Sequence, residues 1–171
     1  MCTRIRKTAM DDPGTTIRRR IRVWTILFIA ALWLSGLTAV PLEWGTRWLS
    51  GLTMDWPGPW HAWADDAAVA IADVGGKYPF LLYGTDWLAF AHIVIGLAFF
   101  GVLRDPVRNK WIIEWGLSCC ALVIVLAFAW APVRGIPFFW RCVDASFGVI
   151  GAVPLWRVLR DILTLEKIPI S

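Results

Sequence analysis

Four long apolar blocks leave this chain few folds to choose from. They lie at about residues 23–41, 86–103, 115–132 and 138–156. At a rise of about 1.5 Å per residue, each comes close to the roughly 30 Å hydrocarbon thickness of a bilayer. Inside hydrocarbon every backbone N–H and C=O has to be satisfied within the protein, and a single apolar segment achieves that as a helix. The expected fold is all-α, an integral membrane bundle of four transmembrane helices forming one domain over the 171 residues. Hydrophobic residues make up 58% of the chain and charged residues 18%, against about 45–50% and about 25% in a soluble domain. That excess is concentrated in the blocks, as a membrane protein requires.

Charge sets the expected direction of each span. Arg4, Arg6, Lys7, Arg18, Arg19, Arg20 and Arg22 precede the first block. Arg104, Arg108 and Lys110 lie between the second and third, and Arg157, Arg160 and Lys167 follow the fourth. Only Arg47, Lys77 and Arg134 fall on the other side. This bias puts both termini in the cytoplasm of a multi-pass cell-membrane protein. The first block is longer than a usual signal-peptide core, and Leu37-Thr38-Ala39 lacks the small first residue of a cleavage site, so it reads as an uncleaved anchor. The net charge of +4 belongs to the membrane surface and does not point to nucleic acid.

The 13 tryptophans agree, since Trp24, Trp87, Trp111, Trp115, Trp130, Trp140 and Trp156 fall at expected span ends. An indole has an apolar body and one hydrogen-bond donor, which suits the headgroup level. The outer segment, about 42–80, contains the turn signal Trp56-Pro57-Gly58-Pro59. Two short amphipathic helices, over about 42–54 and 60–74, are expected on the outer surface around that turn, as a cap or as a lid.

Polar residues inside spans are costly and mark either function or a helix clasp. Arg141, Asp144, Gly148, Gly151 and Leu155 share one helical stripe, and Thr85, Ala89, His92, Gly96 and Phe99 share another. Gly148 and Ala152 form a small-xxx-small pair that admits a close neighbour. His92 and Asp144 each lie six residues past a span start (Asp86 and Phe138), hence about 9 Å deep on the outer side. The expectation is a hydrogen-bonded cluster of His92, Asp144 and Arg141, with Tyr83, Asp86 and Arg134 at its mouth. Histidine beside a carboxylate can exchange a proton near neutral pH. His61 supplies a second metal ligand only if the outer segment folds over, so no metal site is assigned, and no cofactor is indicated.

On the inner side, Asp105-Pro106 signals a tight turn. Lys110 is spaced to pair with Glu114, and Arg108 and Lys110 are candidates for anionic lipid headgroups. Cys2, Cys119, Cys120 and Cys142 make no disulfide framework. No Gly-rich phosphate loop, G-x-S-x-G, H-E-x-x-H or C-x-x-C is present, which leans away from an enzyme. Three readings follow. The first is a protein that binds or passes a small ligand, lipid or proton at the intramembrane cluster. The second is a non-catalytic accessory subunit using the cluster as a clasp. The third is a membrane enzyme acting on a lipid or quinone through Cys119 and Cys120. The expected partners are the lipid bilayer and either a second copy or a larger membrane protein.

Overall fold

A computed structural model describes residues 13–168. Arg4, Arg6, Lys7 and Cys2 lie outside the described residues. Within them the chain is helical and contains no strand. Four helical segments are long and apolar enough to cross a membrane, namely Gly14–Leu37, Pro79–Arg104, Lys110–Arg134 and Phe138–Leu165.

Helix α1 runs from Pro13 to Leu37. Proline suits a first helical position because its missing N–H has no intrahelical partner there anyway. The helix begins well before the apolar block because Arg18, Arg19, Arg20 and Arg22 are good helix formers. It ends in a turn over 38–41, where Thr38 Oγ1 donates to the Ser35 carbonyl at 2.6 Å and Pro41 blocks continuation. Helices α2 (Leu42–Leu52) and α3 (Gly58–Lys77) follow, separated by the expected turn. A short 3₁₀ turn, Pro79–Leu81, leads into α4 (Tyr83–Ala98) and α5 (Phe100–Arg104).

Asp105 stops α5 in an extended conformation (φ −143°, ψ 94°), as the residue before a proline should. The connection to α6 (Lys110–Val125) is tight. Asn109 Nδ2 donates to the carbonyls of Gly101 (3.0 Å) and Asp105 (2.9 Å), and the Arg108 N–H donates to Asp105 Oδ1 at 3.1 Å. Beyond α6 the segment finishes in a π turn, Leu126–Trp130, and a 3₁₀ turn, Ala131–Arg134, around Pro132. Gly135 then takes a left-handed conformation (φ 71°), and α7 runs from Phe138 to Leu165 straight through Pro154.

The described residues divide into two compact units, one comprising 13–28 with 98–168, the other 29–97. In the first, α6 packs on α7 around Phe99, Val102, Ile113, Leu155, Val158 and Ile162, none of them solvent-exposed. Phe99 touches the rings of Phe28 (centroids 4.8 Å) and Trp115 (6.3 Å). The two helices approach closely at Gly148, where a side chain would run into the Cys120 carbonyl oxygen. In the second unit α2 packs on α3 over Ala64 and Ala68, and Ser50 Oγ donates across to Asp65 at 3.1 Å. The end of α1 meets α4 there, with Trp33 Nε1 donating to the Ile93 carbonyl at 3.1 Å.

Candidate functional site

The N-terminal part of α7 carries Arg141 and Asp144, both half-buried. They are three residues apart yet do not pair. Arg141 Nε instead donates to the Ile136 carbonyl at 2.6 Å, closing the loop that precedes its own helix. Asp144 has neither an ion-pair nor a hydrogen-bond partner among the described residues. Arg134, at the end of the preceding turn, is exposed. Cys120 presents its carbonyl to Gly148 and its thiol to Gly151, so this cysteine is built into the α6–α7 contact. Cys119, Cys120 and Cys142 are free thiols.

His92 belongs to the other unit. Its Nδ1 lies 2.7 Å from the Leu88 carbonyl one turn earlier in α4, so this nitrogen carries the proton and donates. Its Cβ sits where a side chain on Gly36 of α1 would have to be. Glycine at 36 therefore lets α1 and α4 approach at the level of the imidazole. Tyr83 and Asp86 lie on the same helix near its start, both exposed, and Tyr83 meets Trp87 edge to face (centroids 6.1 Å). Among the described residues no group of three or more His, Cys, Asp or Glu could hold a metal ion.

The strongest polar contacts are at the other end of the first unit, and sequence reasoning missed the main one. Arg20 of α1 grips both carboxylate oxygens of Asp161 on α7, with Nε to Oδ2 at 2.9 Å and a terminal nitrogen on Oδ1. Asp161 is only 5% exposed. It was legible in principle, because Leu155, Val158, Ile162 and Leu165 form an apolar stripe and Asp161 borders it. Lys110 bonds Glu166 at 2.8 Å in place of the expected Glu114. Arg108, its proposed companion for lipid headgroups, is exposed and makes no ion pair among the described residues.

Comparison with protein-family models, with curated proteins and with solved structures finds no match to this chain.

Proposed function

We propose that this chain is an integral membrane protein crossing the bilayer four times, with both ends in the cytoplasm, and that it binds or passes a small ligand, lipid or proton at the outer end of α7. The observation that carries this reading is the Asp144 carboxylate. It lies six residues, or about 9 Å, into an apolar helix and lacks any partner among the described residues. A carboxylate at such a depth costs at least a few kcal/mol unless a proton, a cation or a hydrogen-bond donor meets it. Arg141, one turn away with its Nε engaged, holds further donors for an anionic or polar ligand. In this reading α2 and α3 lie in the outer headgroup region, which accords with the exposure of Trp44, Trp48 and Trp56. The partners are the lipid bilayer and, across the exposed apolar helix faces, a second copy or a larger membrane protein.

A second reading has a specific observation in its favour. His92 and Arg141 both use a ring or guanidinium nitrogen on a backbone carbonyl, and His92 also packs on Gly36. Those are the habits of a structural clasp in an accessory subunit.

The test is mass spectrometry of molecules co-purifying in native lipid particles, alongside proton flux in proteoliposomes, for wild type and Asp144→Asn. Loss of a defined molecule or of proton flux in the variant supports the first reading. The same bulk lipids and the same flux in both sink it and leave the accessory subunit.

A further inference from the structure

The cytoplasmic-side end of the first unit holds a small cavity of about 80 Å³. Three arginines line it: Arg18 and Arg22 from α1, and Arg104 from the end of α5. Its apolar lining comes from the buried side chains of Ile21, Val102 and Pro106. No carboxylate lines it. Around it, the cations that have acidic partners are already matched, Arg20 with Asp161 and Lys110 with Glu166. Asp105, the acidic neighbour of Arg104, accepts from the Arg108 backbone. Arg18, Arg22 and Arg104 have no carboxylate partner among the described residues.

Three unpaired guanidiniums around one cavity repel one another, and Arg18 and Arg22 do so at the unfavourable i, i+4 spacing. An anion seated between them removes that repulsion. The guanidinium fork matches the oxygens of a phosphate, to which arginine bonds through two N–H groups at once. Size narrows the ligand further. Ligand pockets for whole small molecules run to roughly 300–1,000 Å³, so a cavity this small suits a single anionic group.

We propose that Arg18, Arg22 and Arg104 form a phosphate-binding site, occupied by the phosphate of an anionic lipid headgroup at the cytoplasmic face. The phosphate chemistry stands on the cavity alone, while the lipid as its source rests on the four-span reading. The site differs from the Arg108 and Lys110 pair expected from sequence, and it leaves the outer end of α7 untouched.

The experiment uses the full chain in phosphatidylcholine nanodiscs containing a minor share of phosphatidylglycerol, with bound lipid counted by native mass spectrometry. Wild type should retain phosphatidylglycerol. With each arginine's charge-assisted bonds to the phosphate contributing about tenfold, Arg18→Gln or Arg22→Gln alone should weaken retention about tenfold, and the triple glutamine variant with Arg104→Gln by at least about a hundredfold. A control removes as many charges elsewhere, through Arg157→Gln, Arg160→Gln and Lys167→Gln, and should retain the lipid. Circular dichroism checks that the variants fold, and the single substitutions at exposed Arg18 and Arg22 keep the test open if the triple does not. A second arm titrates inorganic phosphate into lipid-free micelles and follows the ³¹P line width. Arginine-dependent broadening without lipid retention keeps the site and assigns it to free phosphate. Equal lipid loss in cavity and control variants, or no arginine dependence in either arm, overturns the proposal.

Discussion

Arg20 and Asp161 stand 141 residues apart in the chain and meet through two hydrogen bonds, with the carboxylate buried and the arginine side chain 51% exposed. This asymmetry sets what each partner's loss should cost. Removing the arginine strands a buried charge, whereas the arginine released by removing the aspartate can still reach water.

Arg20→Ala should therefore destabilise the protein by about 1–3 kcal/mol, below the fully buried range because water reaches the arginine. Lys110→Ala should cost clearly less than Arg20→Ala, because both Lys110 and Glu166 are partly exposed and water screens the pair. The double replacement Arg20→Met with Asp161→Leu should recover much of the loss. Thermal unfolding in nanodiscs measures all three, and a double variant no better than Arg20→Ala would contradict the account.

Gly148 should tolerate almost nothing larger. A Cβ there meets the Cys120 carbonyl and comes within 3.0 Å of Ile124 Cγ1, so Gly148→Val should cost about 1–3 kcal/mol by forcing α6 and α7 apart. Gly51, within α2 and facing open space, supplies the contrast. Gly51→Ala should be neutral or gain about 0.5–1 kcal/mol from the helix. Equal effects at the two positions would refute the close approach.

Thr25 is fully buried, and its Oγ1 has no hydrogen-bond partner among the described residues. Thr25→Val keeps the shape and removes the stranded hydroxyl, so stability should hold or rise by about 1 kcal/mol. A clear loss of stability would reveal a partner for that hydroxyl.

The four-span orientation predicts that a reporter fused within 56–73 works only on the outer side. Alkaline phosphatase joined there should be active and green fluorescent protein dark. The reverse pattern would invert every span.

The helical, membrane-like character was legible because apolar length and helix signals are local. The turn between α5 and α6 was legible for the same reason, since Asp105 precedes Pro106. What escaped depends on packing. The i, i+4 rule offered Glu114 to Lys110, but the folded chain brings Glu166 nearer. Arg141 and Asp144 have the spacing of a helix pair, yet the Ile136 carbonyl competes for the guanidinium and lies just outside the helix. Asp161 follows Arg157 and Arg160 beyond the expected end of the fourth span, where charge masks the apolar stripe that it borders. Only the length of α7 places it beneath Arg20.

That length has a mechanical side. Pro154 contributes no N–H, so the Ile150 carbonyl loses its usual helical donor midway along α7. The rod is weakest between its two carboxylates, Asp144 above and Asp161 below. Bending at that point is cheaper than anywhere else along it. Amide exchange that is fastest over 151–155 within the interior of α7 would register the weakness. The Asp144 half is held on α6 at Gly148 and the other half is held by Arg20, so one continuous helix has its soft point between two clamps.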